Sequence, residues 1–216
     1  VVSIFVNGKQ FAPDEDFEKY PRTLSDDVTK LETLNVDVLF LPDNNEIYPE
    51  NYSTYVEENS LAAGLESSSR PHFFKGVLTV VLKLFNIVQP NFAFFGKKDI
   101  QQLRLAEKLV LDLNLGIVIV GGETVREKNG LAMSSRNAYL AKTADLGIIY
   151  ESLKSAKEAI QRGENKSSAI YNQIYSNLTT LLNLKVDYIA ISDAKTLKNI
   201  KRIEKNIIIS LAVFVE

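Results

Sequence analysis

Short apolar runs alternate with stretches of helical periodicity along the first half of the chain. Val1-Val2-Ser3-Ile4-Phe5-Val6 reads as an interior strand, Val28, Leu31 and Leu34 share one helical face, and Val36-Asp37-Val38-Leu39-Phe40-Leu41 returns to strand. The same alternation continues downstream. A helix is expected from about Gly76 to Val88, a strand at Phe92-Ala93-Phe94-Phe95, a helix from about Ile100 to Asn114 and a strand at Ile117-Val118-Ile119-Val120. Strands flanked by helices are joined by crossovers, so the expected class is α/β, with a parallel sheet covered on both faces and right-handed connections.

After Gly121-Gly122 the texture changes. A polar loop is expected from Thr124 to Asn137, then helices from about Ala144 to Arg162 and from Ser167 to Leu182, with Gly163 suited to stop the first. Val186-Asp187-Tyr188-Ile189-Ala190-Ile191 and Ile207 to Val215 are strand-like. A boundary near Thr124 divides the chain into domains 1–124 and 125–216, the second smaller and α+β. Val1 opens an interior strand with no initiator Met and no lead-in, so the protein is expected to begin upstream.

Composition narrows the function classes. With 25 Lys+Arg against 27 Asp+Glu and a formal charge of −2, there is no global basic field to hold a nucleic acid or an anionic bilayer. No Cys is present, which excludes disulfides and thiolate metal sites. No apolar run approaches the roughly 18 residues of a membrane span, so no membrane association and a cytoplasmic location are expected. A monomer of this mass is expected to expose roughly 10,000 Å² when folded.

The strongest chemical constellation is Phe95-Gly96-Lys97-Lys98-Asp99-Ile100-Gln101-Gln102, which runs from the end of a strand into the first turn of a helix. Open α/β sheets bind ligands at such ends; unpaired N–H groups and two lysines favour an anion there. A purely structural role is equally consistent with the pattern: Asp99 as N-cap, Gln102 as capping-box partner and the lysines as solvated surface. Arg126-Glu127-Lys128-Asn129-Gly130-Leu131-Ala132-Met133-Ser134-Ser135-Arg136-Asn137 supplies hydroxyls and an arginine fork, the means to close over a polyphosphate or merely to connect two elements. In Val6-Asn7-Gly8-Lys9-Gln10-Phe11, two amides follow a strand and can orient a hydroxyl or carboxylate. His72 is the only histidine, which leaves metal or Ser-His-Asp chemistry thin. Asp26-Asp27 can meet Mg²⁺ or complement a helix dipole. Neither G-x-G-x-x-G nor G-x-x-x-x-G-K-[ST] occurs.

Taken together, the chain resembles the pantothenate synthetases, the pantoate–β-alanine ligases. The resemblance is carried by Val1 to Asn7, Gln10-Phe11, Tyr20-Pro21-Arg22, Tyr48-Pro49, Arg70-Pro71, Gly76-Val77-Leu78-Thr79-Val80-Val81, Gly96-x-Lys98-Asp99-x-Gln101-Gln102, and Val125-Arg126-Glu127 through Arg136-Asn137. It implies a Rossmann-like fold of the nucleotidyl transferase type with a smaller C-terminal lid, and a homodimer. The implied reaction is ATP-dependent condensation of pantoate with β-alanine through a pantoyl adenylate, releasing AMP and pyrophosphate, with Mg²⁺ accompanying ATP. By position, Gly96, Lys97, Lys98 and Asp99 match the family's ATP block, Val125, Met133, Ser134, Ser135 and Arg136 its second ATP segment, and Gln10 and Gln102 its pantoate ligands. Lys98 takes the catalytic role, stabilising charge on the transferring phosphoryl group.

The chain departs from the pattern at several points. The family's His-x-Gly-His motif would precede Val1 and does not occur in the chain, which therefore is not expected to turn over alone. Gly8 replaces a usual Pro, which is expected to loosen the backbone before Gln10. In Arg70-Pro71-His72-Phe73-Phe74-Lys75-Gly76 the histidine stands one position early, with Phe73 in its place, so no role passes to His72. Two alternatives remain at this stage: a non-catalytic pantoate- or nucleotide-binding remnant or dimer scaffold, and a nucleotidyl transferase that releases its adenylylated product.

Overall fold

A computed structural model describes residues 1–12, 15–140 and 146–215. Its long elements follow the apolar periodicity. Helix α1 spans Leu24–Thr33, and strands β1 (Val2–Ser3) and β2 (Leu39–Phe40) pair in parallel around it. Short helices α2 (Asn44–Ile47) and α3 (Glu66–Ser69) lead to α4 (Phe73–Val88), whose Val77, Leu78, Val80, Val81 and Phe85 are buried. Gln89 ends α4 in the left-handed region at φ 49°, its N–H bonded to the Phe85 carbonyl, and Pro90 prevents continuation.

Strand β3 (Phe92–Gly96), helix α5 (Ile100–Asp112) and strand β4 (Val118–Gly122) complete a second parallel unit, in register from Phe92 opposite Val118 to Gly96 opposite Gly122. Ala93, Phe95, Ile117 and Ile119 turn toward the core formed by α4 and α5, whereas Phe92, Phe94 and Val118 point outward. Among the described residues the β1–β2 and β3–β4 pairs are not hydrogen-bonded to each other.

Helices α6 (Gly147–Gln161) and α7 (Ser167–Leu178) pack on an antiparallel pair, β5 (Leu184–Asp193) and β6 (Ile207–Val215). Ala156, Ile170, Ile174 and Leu178 are fully buried there. The start expected for α6, at Ala144, lies outside the described residues. Two hydrophobic clusters result: one is built from residues between Phe5 and Ile119, the other from residues between Leu131 and Val215. The accessible surface is 13,809 Å², above the roughly 10,000 Å² expected of a single compact body. Phe94, on the outward face of β3, is 75% exposed. Among the described residues no helix is long and apolar enough to cross a membrane.

Candidate active site

Gln10 sits in a tight 3-10 turn, Gly8–Gln10, that follows β1. Asn7 builds the turn. Its side-chain oxygen accepts from the Lys9 N–H at 3.2 Å and from the Tyr48 hydroxyl at 2.8 Å, and its Nδ2 donates to the Gly76 carbonyl at 3.1 Å and to Gln10 Oε1 at 3.3 Å. Burial pushes the Tyr48 phenol far above its usual range, so it stays a donor. With Oε1 engaged, the Gln10 NH₂ group is left to donate, which suits a carboxylate or hydroxyl oxygen. Asn7 thus ties the turn to Tyr48 and to α4.

Gly76 lets the turn approach α4. A Cβ there would stand 2.4 Å from the Lys9 carbonyl oxygen and 2.8 Å from the Gln10 nitrogen. On the other side, Arg70 Nη2 donates to the Gln10 carbonyl at 3.1 Å. The same guanidinium grips Glu15 through Nε and Nη2, both at 2.6 Å, and Glu66 through Nη1 at 2.7 Å. The Phe73 ring centre lies 3.8 Å beneath it and serves as a platform for Arg70. His72 itself is exposed at the start of α4.

Glu66 carries the network to the other candidate block. Burial raises its carboxyl above the usual range while Arg70 pulls it back, and Asp99 and Lys98 also act on it electrostatically. Its N–H donates to Gln101 Oε1 at 3.3 Å, and Gln101 Nε2 donates to the carbonyls of Leu61 at 2.8 Å and Gly64 at 3.2 Å. Tyr188, on β5, also feels Glu66; its phenol is pushed up to about 12, chiefly by burial.

Gly96 closes β3, and Lys97, Lys98 and Asp99 form a 3-10 turn into α5. Asp99 occupies the N-cap position but makes no side-chain cap hydrogen bond. Gln102, at the third helical position, forms no side-chain hydrogen bond among the described residues. The capping-box hydrogen bonds are therefore absent among the described residues. Lys97 folds its stem over Gly121 and pairs with Glu123 beyond β4. Lys98 is exposed, its ammonium 3.3 Å from the Asp99 carboxylate.

The segment expected as an irregular loop is a small hairpin. Arg126 bridges Ala132, the Met133 N–H donates to the Val125 carbonyl at 2.9 Å, and Glu127-Lys128-Asn129-Gly130 makes the turn. Gly130, at φ 91°, leaves room for Tyr150, over which Arg126 stacks at 3.8 Å. The hairpin sets Val125 and Met133 side by side, 66% and 50% exposed. Next, Ser134 accepts from the Arg136 N–H and caps a 3-10 turn, Ser135–Tyr139. That turn docks on the segment after Gln10. Ser135 Oγ donates to the Tyr20 hydroxyl at 2.9 Å, and Arg136 holds Asp16 through Nε and Nη2, both at 2.9 Å.

Sequence reasoning missed Arg70, Glu66, Gln101 and Asp16 as organising residues. Arg70 lies beside Pro71 in a short motif, but its partners Glu15 and Gln10 are 55 and 60 positions away. Asp26 and Asp27 lie in the first turn of α1, Asp27 accepting from Thr23 Oγ1, as dipole complementation expects. Among the described residues no group of three or more His, Cys, Asp or Glu side chains could hold a metal.

Parallel strand pairs with helices packed against them define an α/β protein. Residues 1–216 match the family model described as Pantoate-beta-alanine ligase. Curated relatives named Pantothenate synthetase include that of Fervidobacterium nodosum, 50% identical across 100% of this chain and 77% of the relative, and that of Thermosipho africanus, 47% identical across 100% and 78%. A crystal structure of pantothenate synthetase from Thermus thermophilus matches with a TM-score of 0.95 at 38% identity, covering 99% of this chain and 78% of that one. A pantoate-beta-alanine ligase from Francisella tularensis, complexed with beta-gamma ATP and beta-alanine, matches with a TM-score of 0.70 at 34% identity, over 99% and 78%. The chain belongs to the pantoate–β-alanine ligase family, whose members are ATP-dependent acid–amine ligases.

Proposed function

We propose that this protein condenses pantoate with β-alanine through a pantoyl adenylate formed beside Lys98. A pantoate carboxylate oxygen attacks the α-phosphorus of ATP, the bond to the β-phosphate bridging oxygen breaks, and pyrophosphate leaves. Negative charge grows on the phosphoryl and bridging oxygens. Lys98 and the positive N-terminal end of α5 supply the stabilisation, so the protein acts by positioning and electrostatics. The β-alanine amine then attacks the acyl carbon and AMP departs.

In this reading Gly96, Lys97, Lys98 and Asp99 bind the nucleotide with Val125, Met133, Ser134, Ser135 and Arg136, while Gln10 and Gln102 hold pantoate. Mg²⁺ accompanies ATP in this reading and would be held chiefly by the phosphates. The two hydrophobic clusters support a division near Thr124, with the second domain acting as a lid that protects the acyl adenylate from water. A cytoplasmic homodimer belongs to the same reading.

One observation carries most weight. The turn bearing Gln10 is tied to the first turn of α5 by hydrogen bonds that run from the Gln10 carbonyl through Arg70 and Glu66 to Gln101. The test is pantoate-dependent exchange of labelled pyrophosphate into ATP by the whole protein, followed by β-alanine addition. Exchange followed by pantothenate is expected. No exchange points to a non-catalytic binding module, and exchange without pantothenate points to a transferase that releases its adenylate.

A further inference from the structure

Two adjacent carboxylates beyond the Gln10 turn are divided between two arginines. Glu15 is taken by Arg70 of the first cluster's side, and Asp16 by Arg136 from the turn that follows the Val125–Met133 hairpin. Asp16 engages the Nε–Nη2 edge of Arg136, the edge that recognises a carboxylate or phosphate with two parallel hydrogen bonds. The guanidinium is steadied by the rings of Tyr20 at 5.3 Å and Phe11 at 5.9 Å. Flanking contacts, Ser135 to Tyr20 and the Tyr139 hydroxyl to the Lys19 carbonyl at 2.8 Å, seat the whole turn on residues 16–20.

We propose that Asp16 is a positioning residue that holds the Arg136 fork in the nucleotide-free protein and gives it up to a phosphate of ATP. The inference rests on the reading of Arg136 as a nucleotide ligand. One edge of a guanidinium serves one bidentate acceptor, and a second anion beside Asp16 is repelled by its charge. Binding of a polyphosphate therefore exchanges partners. Asp16 keeps the arginine aimed while the site is empty, at the expense of some affinity.

The experiment is calorimetric titration of the whole protein with Mg·ATP, using Asp16→Asn, Asp16→Ser, Arg136→Ala and the double variant Asp16→Asn/Arg136→Ala. Both Asp16 substitutions are expected to tighten ATP about two- to fivefold, the range that a half-exposed ion pair is worth. A damaged fold would not produce tightening. In the Arg136→Ala background, Asp16→Asn is expected to have no effect. Unchanged or weaker ATP binding in both Asp16 variants, with Arg136→Ala still weakening it, overturns the exchange and leaves the nucleotide role of Arg136 standing. Tightening that persists without Arg136 also overturns it, because charge repulsion alone then suffices. Unchanged affinity in Arg136→Ala overturns the nucleotide role itself.

Discussion

Arg70 donates to the backbone carbonyl of Gln10 at 3.1 Å with the guanidinium that also pairs with Glu15 and Glu66. One side chain thereby fixes the turn that presents the Gln10 amide and a carboxylate adjoining the Lys98 block. The Arg70 side chain is only 18% exposed, and Glu66 depends on it to offset burial. Arg70→Ala is expected to lower stability by about 2–3 kcal/mol, short of the full cost of opening a buried pair, as measured by urea unfolding. Arg70→Lys should recover little of this, because an ammonium cannot reproduce the two-bond grip on Glu15 or the stacking on Phe73.

Gly76 is where the Gly8–Gln10 turn and α4 touch backbone to backbone. Ala is the better helix former, yet its Cβ would stand 2.4 Å from the Lys9 oxygen, and backbone must move. Gly76→Ala is expected to cost about 1–3 kcal/mol and to raise KM for pantoate more than KM for ATP. Steady-state kinetics with each substrate varied in turn checks this; equal changes in both constants would place the effect elsewhere.

The neighbouring glutamines separate structure from binding. Gln101 is buried and its amide bonds Leu61, Gly64 and Glu66, whereas Gln102 has no side-chain hydrogen bond among the described residues. Gln101→Ala is expected to lower Tm by several degrees, since it removes a buried side chain and its three hydrogen bonds. Gln102→Ala should leave Tm within about two degrees and weaken pantoate binding more than ATP binding. Differential scanning fluorimetry and titration with each ligand distinguish the two.

What the sequence disclosed follows from the range of the forces involved. Helices α4 and α5 and strands β3 and β4 were legible because burial imposes its period on consecutive residues. The Val1–Val6 and Val36–Leu41 runs were read too long. Only Val2–Ser3 and Leu39–Phe40 find a partner strand among the described residues, and regular strand needs one. The hairpin within 124–137 escaped because its sequence is polar; a single bridge from Arg126 to Ala132 and the Gly130 turn define it, with no apolar alternation to announce them.

The candidate ligand residues were legible through ordered motifs, but their supporting shell was not. Asp16 and Arg136 are 120 positions apart, and a charge run offers no local sign of its distant partner. Asp99 and Gln102 show the converse. Local capping rules gave them a structural role, and among the described residues that bonding is absent.

The most direct test compares wild type and Lys98→Ala in pantoate-dependent pyrophosphate exchange by the whole protein, with ATP and pantoate each varied. A fall in kcat of about 10²–10³ with both KM values little changed is expected, since Lys98 is assigned to charge that develops only in the transition state. An unchanged kcat, with the loss confined to KM, would contradict that assignment.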